Sequence, residues 1–571
     1  MRGAAPLFVA VLLGSAASLE AAGDEPAERD DGRVSGADAP PPLDPAPPLD
    51  PATSLDAATS LDAAPLPEGS LATLPAIPVG EIRVEGSTVF TPEELRAFTD
   101  PYANRVVAIE ELHELRHTLS RAYVDRGYVS SGVIIPDQRV TDGAITLRAV
   151  EGELAAIEID GNRRLSDRAI ARRIGRHVSA PVSIADLQRS LRLLQEEPLV
   201  ERVNARLMPG DTPGESRLQV SIVERPAFEV EAAAANDRSP SVGEDRGTVS
   251  LTYRGLAGNG DALRVGLGVT DGVVDTLLSY RVPVNPGGTV LDVLVSDQEA
   301  DIVEEPFDTI DIESRLETWG FTATHPFVRE PDRTLLAIAG FEHKRSSSTL
   351  LGQPFSFSPG DVDGKARGSA VTLGAEWTRR GVGSAWALRG LFHIGVDAFD
   401  ATVNPAGPDT KFVAFSSQAQ YVRGLRFRAG RLLVHGAVQL ARDALLAMYK
   451  MPVGGRYSVR GYRESLFVRD NGAAATVEYQ FAPLLDDARR PRGNVTLAAF
   501  VDHGVAWDDD DRLPTADKAR ITSAGVGVLW DPTPDVHFEV YWGDALDEQS
   551  TPTETLQDQG FHYRFRYRRQ F

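Results

Sequence analysis

The sequence ends with Phe561-His562-Tyr563-Arg564-Phe565-Arg566-Tyr567-Arg568-Arg569-Gln570-Phe571, in which aromatic and polar side chains alternate. Successive residues of a β-strand point to opposite faces, so one face is aromatic and the other is mostly arginine. Charge against lipid is costly, and we therefore expect the aromatic face to contact a membrane and the arginine face to line a wet lumen. Arg569 breaks the pattern but lies close enough to the terminus to reach lipid headgroups. The aromatic face consists of Phe561, Tyr563, Phe565, Tyr567 and Phe571.

The same alternation extends back to residue 226 in segments of about ten residues separated by turns, which is typical of an outer-membrane β-barrel. An even number of strands suits a single-chain bacterial barrel. We predict an all-β transmembrane barrel of about 16 antiparallel strands over residues 226–571. Tight turns at 258–261 and 285–288 should face the periplasm, and 351–368 and 544–559 should be extracellular loops. The strands are predicted to start near residues 227, 247, 261, 276, 289, 311, 334, 369, 385, 411, 431, 473, 494, 521, 535 and 560.

Composition excludes several other classes of protein. The chain has 571 residues, enough for several domains, and a formal net charge of −23. Nucleic-acid binding requires a field of Lys and Arg, so this acidic chain predicts no nucleic-acid partner. The chain contains no cysteine, which leaves neither disulfides nor thiolate metal sites and suits an oxidising compartment.

The first 78 residues carry an export signal and a linker. Arg2 precedes a short apolar run and then a patch of small residues, which predicts a secretory signal peptide over residues 1–22. Residues 23–78 are acidic, rich in proline and repetitive, reading PPLDPA, PPLDPA, TSLDAA, TSLDAA near the middle. So few apolar side chains cannot offset the entropy of ordering, which predicts a disordered linker. No later run reaches the ~18 apolar residues that a transmembrane helix needs.

Between the linker and the barrel, a strand–helix–helix–strand–strand pattern occurs twice, over residues 79–152 and 153–225. Thr91 before Pro92 indicates the start of the first helix. A longer helix follows, with Leu112, Leu115 and Leu119 on one face. The sequence therefore predicts two α+β domains in tandem.

Four short motifs lie at turns of these modules, namely Pro136-Asp137-Gln138, Asp142-Gly143, Val150-Glu151-Gly152 and Ile159-Asp160-Gly161-Asn162. Together they resemble the paired POTRA domains of TpsB transporters, the outer-membrane pores of two-partner secretion. The resemblance implies POTRA domains 1 and 2 in the periplasm and a barrel in the bacterial outer membrane. It further implies a large secreted exoprotein whose N-terminal secretion domain binds the POTRA domains, and which crosses the lumen unfolded without any cofactor.

The resemblance also implies contacts with outer-membrane lipid and, during insertion, with the barrel-assembly machinery. Family members often carry an N-terminal helix that plugs the barrel. Residues 24–38 are polar and contain proline and glycine, so the sequence does not favour a plug helix here. A barrel-assembly insertase of the same superfamily is the alternative function.

A further pair of motifs lies within the barrel region. On one strand, Val495, Leu497, Ala499 and Val501 are apolar and are expected to face the lipid. The residues between them face the other way, which places Phe500, Asp502 and Gly504 on the lumen side. A carboxylate inside a barrel needs a partner, and Arg460, in the long connection before this strand, is the candidate. It belongs to the stretch Val459-Arg460-Gly461-Tyr462.

Gly461 permits close approach of the backbone, and Tyr462 offers a ring to pack and a hydroxyl to bond. In TpsB proteins a loop tip with this motif folds into the lumen and contacts the strand motif, and these residues match the pattern one for one. We therefore expect an inward-folded loop held by an Arg460–Asp502 pair. The alternative is that Arg460 is a hydrated charge at a loop tip and Asp502 faces pore water.

Residues 113–117 spell His-Glu-Leu-Arg-His, the HExxH pattern of zinc peptidases, on a predicted helix. The module around it has little room for a substrate cleft, and no third ligand follows in a helical context. We predict solvated histidines, no metal site and no catalytic residues, and keep a zinc peptidase as a remote alternative. Glycine pairs elsewhere lie in strands and lack the turn and helix of a dinucleotide site.

Overall fold

A computed structural model of the chain describes residues 76–140, 142–330, 332–405, 407–425, 430–481, 494–508 and 518–571. The predicted signal peptide, nearly all of the predicted linker and residues 24–38 lie outside this range. Within it, no helix is long and apolar enough to cross a membrane. The described chain forms two compact units that divide between Arg225 and Pro226.

The first unit begins with a module in which two helices pack on a three-stranded sheet. Strand β2 pairs with β5 in parallel and β4 pairs with β5 antiparallel, while β1 and β3 form a separate two-stranded sheet. The apolar face of α2 packs against the central strand β5. The elements are β1 (Ala76–Val79), β2 (Glu81–Glu85), α1 (Pro92–Thr99), β3 (Arg105–Ala108), α2 (Ile109–Asp125), β4 (Gly132–Ile134) and β5 (Ala144–Val150).

Strand β1 corrects one predicted boundary. We placed the end of the disordered linker at residue 78, but Ala76–Val79 pairs with Arg105–Ala108. Ile77 is only 2% exposed and belongs to the core of the first module. The prediction failed because the strand Ala-Ile-Pro-Val contains a proline, which is tolerated at a sheet edge but resembles linker sequence.

The second module repeats the first. Strand β6 pairs with β8 in parallel and β7 pairs with β8 antiparallel, under two helices. Its elements are β6 (Glu153–Asp160), α3 (Asp167–Gly175), α4 (Ile184–Gln195), β7 (Val200–Pro209) and β8 (Glu215–Glu224).

A glutamate near the end of each central strand stabilises the turn before the first helix of its module. Glu151 accepts hydrogen bonds from the backbone N–H groups of Thr88 and Val89. Glu224 does the same for Arg164 and Leu165 in the second module. Backbone N–H groups in such a turn need an acceptor, and the glutamate supplies it in both modules. This contact gives a structural reason for Glu151 in the motif Val150-Glu151-Gly152.

The second unit is a closed antiparallel barrel of sixteen strands, as the sequence predicted. The last strand pairs with the first, so no edge remains open. The short β16 (Gln353–Pro354) extends one hairpin beyond the wall. The wall consists of β9 (Phe228–Ala235), β10 (Arg246–Arg254), β11 (Ala262–Val269), β12 (Val273–Pro283), β13 (Val290–Asp301), β14 (Ile312–Glu330), β15 (Arg333–Leu350), β17 (Lys365–Gly381), β18 (Ser384–Gly395), β19 (Val413–Gly424), β20 (Arg431–Ala441), β23 (Asn471–Phe481), β24 (Asn494–Trp507), β25 (Ala519–Thr533), β26 (Val536–Ala545) and β27 (Phe561–Gln570).

Predicted and observed strand starts agree closely. The largest difference is at β17, which begins at Lys365 instead of near residue 369. The first residues of β17 pair with a run of serines in β15. Polar and apolar residues do not alternate there, so the sequence pattern did not reveal the start of the strand.

The wall alternates as the period-two pattern requires. On β26, Val540 and Trp542 are 46% and 41% exposed, whereas Tyr541 between them is buried. The exposed apolar side chains form the outer face that lipid would cover, and the polar ones line the lumen.

Candidate functional site

The connection between β20 and β23, residues 442–470, folds back against the inside of the barrel. Two short strands give it a hairpin stem, β21 (Met451–Val453) paired with β22 (Phe467–Arg469). At the base of the stem the ammonium of Lys450 contacts the carboxylates of Asp470 and Asp508 at 3.1 and 3.0 Å. We call residues 454–466, between the two stem strands, the loop tip.

Arg460 in the loop tip makes a two-pronged contact with Asp502 on β24. Its Nε and Nη2 donate to the two carboxylate oxygens at 2.8 and 2.9 Å. The backbone N–H of Arg460 donates to the same carboxylate at 3.0 Å. Both residues are buried, at 4% and 1% exposure. Parallel N–H···O bonds fix both the position and the orientation of the guanidinium plane.

A second carboxylate, Glu478 on β23, accepts from Nη1 of Arg460. Glu478 also accepts from the hydroxyl of Tyr541 at 3.2 Å. The ring of Phe500 lies beneath the guanidinium, with its centroid 3.5 Å from Cζ, and the ring of Tyr541 lies 4.6 Å away. Arg460 therefore sits between two carboxylates and two aromatic faces, and cation–π attraction adds to the ion pairs.

Glycines on the wall make room for this arrangement. A Cβ on Gly504 would lie 2.6 Å from a methyl of Val453 and 2.7 Å from a methyl of Val459. Val459 is fully buried in an apolar cluster with Val453, Tyr462 and Ile521. Residue 504 must therefore be small for the loop tip to dock against β24.

Gly461 brings the loop backbone against β26 and β27. Its φ of +90° is unfavourable for other residues, and a Cβ there would lie 2.8 Å from the carbonyl oxygen of Gly543. The N–H of Gly461 donates to Nε2 of the buried His562 at 3.2 Å. Both conformation and space therefore require glycine at this position.

Tyr462 joins the loop tip to the wall and to an outer loop. Its hydroxyl lies 2.8 Å from the carbonyl oxygen of Thr522 on β25. The same hydroxyl accepts from the N–H of Asp547 at 3.0 Å. The ring is buried in the cluster around Val459.

Arg463 connects the loop tip to other loops instead of to the wall. Nε and Nη2 donate to both carboxylate oxygens of Asp558, at 2.9 and 2.6 Å. Nη1 donates to Glu304 at 3.0 Å, and Glu304 in turn accepts from the hydroxyl of Ser241 at 2.9 Å. One arginine thus ties together the connections before β10, before β14 and before β27.

Glu464 is buried beside the backbone of the loop tip. Its carboxylate accepts from the N–H of Arg456, and its own N–H donates to the amide oxygen of Gln557 at 2.8 Å. Burial raises the pKa of the Glu464 carboxyl to about 8. Arg456 itself forms an ion pair with Glu539 on β26.

Sequence reasoning missed four of these residues: Arg456, Arg463, Glu464 and Glu478. Glu478 could have been found, because it alternates with the exposed Val477 and so faces the lumen beside Asp502. Most partners of the other three are distant in sequence, for example 159 residues for Arg463 and Glu304, and no local pattern reveals them.

Known proteins match the chain in both units. The family described as haemolysin secretion/activation protein ShlB/FhaC/HecB matches residues 214–529, more than half of the chain. The ShlB-type POTRA domain matches residues 77–152. The chain belongs to the ShlB/FhaC/HecB family. It is an outer-membrane transporter of the two-partner secretion type, with POTRA domains in the periplasm.

Individual relatives agree with this family. The outer membrane transporter CdiB of Dickeya dadantii is 24% identical over 487 residues, covering 81% of this chain and 82% of CdiB. The heme/hemopexin transporter protein HuxB of Haemophilus influenzae is 20% identical over 426 residues, covering 72% and 73%.

Solved structures share the fold. CdiB from Escherichia coli superposes with a TM-score of 0.64 at 19% identity, over 90% of this chain and 95% of CdiB. BamA from Haemophilus ducreyi lacking POTRA domains 1–3 gives 0.52 at 16% identity, over 86% and 99%. At these identities the likeness concerns the fold alone.

The last strand, β27, pairs with both β26 and β9. Phe561 and Phe571 are exposed on the outer face, and Phe565 contacts Phe538 with ring centroids 4.8 Å apart. Tyr563 donates to Asp245 at 2.7 Å, and Tyr567 lies opposite Val536.

The His-Glu-Leu-Arg-His stretch of this ShlB-type transporter lies on the outer side of α2. His113, Glu114 and His117 are exposed, and a guanidinium nitrogen of Arg116 lies 3.0 Å from Nε2 of His117. In the described part of the chain, no group of three His, Cys, Asp or Glu side chains is placed to hold a metal ion.

Proposed function

We propose that this transporter captures a secreted exoprotein through its POTRA domains and passes it unfolded through the barrel, with the loop tip as a movable gate. The docking of Arg460 between Asp502 and Glu478 is the observation that carries this proposal. It holds the loop tip against the lumen faces of β23 and β24. A polypeptide in the lumen would compete for that space, so transport requires the tip to move.

The POTRA modules support a role in capture. The second module exposes an edge strand, β7, whose outer backbone groups can pair with an extended segment. Such β-augmentation suits a large partner, because main-chain hydrogen bonds supply affinity without demanding one particular side chain.

A secretion assay with the cognate exoprotein tests the proposal. We expect deletion of residues 79–225 to abolish release of the exoprotein into the medium, while heat-modifiable gel mobility still reports an inserted barrel. Unchanged release would disprove the proposed capture by the POTRA domains. Levels of other outer-membrane proteins in the same cells test the insertase alternative, which requires those levels to fall.

We further infer that residues 113–117 do not form a zinc peptidase site. The exposed histidines are explained by a solvated helix face, and the neighbouring Arg116 cation opposes a metal ion at His117. Glu114→Gln is a matched test, because it changes one exposed side chain of a POTRA module. We expect normal secretion and no bound zinc in the purified protein; bound zinc with Glu114-dependent proteolysis would contradict this inference.

A further inference from the structure

A row of arginines lies on the outer face of the barrel at one end of β15, β17 and β19. Arg333 on β15 is directly opposite Arg379 on β17, and Ser384 on β18 is directly opposite Arg423 on β19. Arg379 falls on the same face of β17 as the exposed Leu373 and Trp377. The row therefore follows the lipid side of the wall and not the lumen side.

Aromatic side chains lie beside this row, since Trp386 on β18 is directly opposite Arg379 and Trp377 is two residues along β17. Trp377 and Trp386 are 37% and 46% exposed. Trp386 pairs with Tyr421, and their ring centroids are 4.1 Å apart. Tryptophan and tyrosine on an outer face mark the level of the lipid headgroups, so the arginines next to them lie at headgroup height.

Chain direction identifies this end as the periplasmic one. Strand β9 follows the periplasmic POTRA modules directly, so it starts at the periplasm, and the antiparallel strands then alternate in direction. The β17–β18 turn, between the eighth and ninth strands of the wall, therefore faces the periplasm. Val382 at its tip is fully exposed.

The arginines differ in their partners. Arg333 forms an ion pair with Glu330, its Nε lying 2.7 Å from a carboxylate oxygen. Arg379 and Arg423 are exposed, and their side chains form neither an ion pair nor a hydrogen bond with any residue that the structure describes. Two uncompensated cations on the lipid face of a chain with a net charge of −23 call for anions from outside the protein.

We propose that this face, formed by Arg379, Arg423, Trp377, Trp386 and Tyr421, binds anionic glycerophospholipid in the periplasmic leaflet. The guanidinium forks match the phosphodiester of a headgroup bidentately. The aromatic rings pack beside the glycerol and upper acyl region, where rings of this kind prefer to lie. The ligand class is a phospholipid with a net negative headgroup, such as phosphatidylglycerol, and this binding is independent of the secreted partner.

Tryptophan quenching by brominated lipid tests the proposal at the site itself. The full-length protein is reconstituted into phosphatidylcholine vesicles that contain either brominated phosphatidylglycerol or brominated phosphatidylcholine. The ratio of the two quenching efficiencies reports the local preference for the anionic lipid. A double W377F/W386F variant measures the background from the other four of the six tryptophans.

We expect brominated phosphatidylglycerol to quench preferentially, and Arg379→Gln and Arg423→Gln to lower that preference about fivefold for each charge removed. Arg345→Gln is the matched control, because it removes an exposed arginine from the same side of β15 at the opposite end of the barrel. It should leave the preference unchanged.

Heat-modifiable mobility establishes that each variant is folded. Equal quenching by the two lipids in the unchanged protein would overturn the proposal. So would an undiminished preference in the double Arg379→Gln, Arg423→Gln variant, or an equal loss in Arg345→Gln.

Discussion

Two arginines three residues apart in the loop tip hold it in different ways. Arg460 is bound by Asp502 and Glu478, which lie on adjacent strands of the closed barrel wall. Arg463 is bound by Asp558 and Glu304, which lie on connections outside the wall. A strand in a barrel is held by hydrogen bonds on both sides, whereas a connection can move with its partner.

Because of this difference, one loop can be both positioned and movable. The Arg460 contact determines where the tip sits in the lumen, because its partners cannot follow it. The Arg463 contact links the tip to three outer connections, and these connections can move together with the tip. We therefore expect Arg460 to be essential for docking and Arg463 to tune how easily the tip is released.

Arg460→Ala should have the largest effect. It leaves Asp502 and Glu478 buried without their cation, and removing one partner of a buried pair costs about 3–5 kcal/mol of docking free energy. The chain has no cysteine, so a single Val459→Cys reports release through thiol labelling of a side chain that is buried when docked. Labelling should accelerate by about two to three and a half orders of magnitude, and secretion should fall sharply in an inserted barrel.

Arg460→Lys sharpens that result, since it keeps the charge but loses the planar fork. We expect an intermediate labelling rate. Slow labelling of Arg460→Ala, equal to that of the parent, would show that the wall contact does not hold the tip.

Gly461→Ala should rank second. The left-handed φ costs a non-glycine residue about 1–3 kcal/mol, and the contact with Gly543 adds to that cost. Gly352→Ala is the matched control, because Gly352 also has a positive φ of +68° but nothing lies within 4 Å of its added Cβ. Only Gly461→Ala should speed labelling at residue 459; equal rates in the two variants would show that Gly461 has no specific role in docking.

Arg463→Gln should have a smaller effect. Each hydrogen bond to a charged group contributes about 1.5–3 kcal/mol. However, Asp558 and Glu304 lie on connections between strands, so water can hydrate their carboxylates once the arginine is removed. We expect faster labelling and higher ion conductance of the reconstituted barrel, with secretion largely retained. A loss of secretion as severe as that of Arg460→Ala would remove the distinction between the two arginines.

Changing pH should have the smallest effect per unit. Burial raises the pKa of Glu464 from 4.5 to about 8 in the docked tip. A raised pKa stabilises docking fully below 4.5, and this contribution is lost as the pH rises through about 8. Within that window each pH unit weakens docking by at most about 1.4 kcal/mol.

Glu464→Gln carries no titratable group and so separates this effect from the pH dependence of the thiol itself. The ratio of labelling rates between the Val459→Cys protein and its Glu464→Gln derivative should rise with pH. A constant ratio from pH 5 to pH 9 would be inconsistent with a role for Glu464.

The fold was predictable to a large degree because its signals are local. Alternation identified sixteen strands and the lipid face of β27, since lipid and water impose opposite preferences on successive residues. The boundary at Val79 was wrong by a few residues because a proline-containing edge strand is indistinguishable from a linker without its partner, Arg105–Ala108.

The strand count, the tandem modules and the lumen-facing side of Asp502 could be predicted from the sequence, because all three follow from the period of side-chain direction. Three further contacts could be seen only in the folded barrel: Glu478 shares Arg460 with Asp502, Gly461 lies against Gly543, and Arg463 joins Glu304 and Asp558. These contacts depend on closing the barrel, which brings the loop tip against strands far along the chain. No periodicity in a single sequence records that closure.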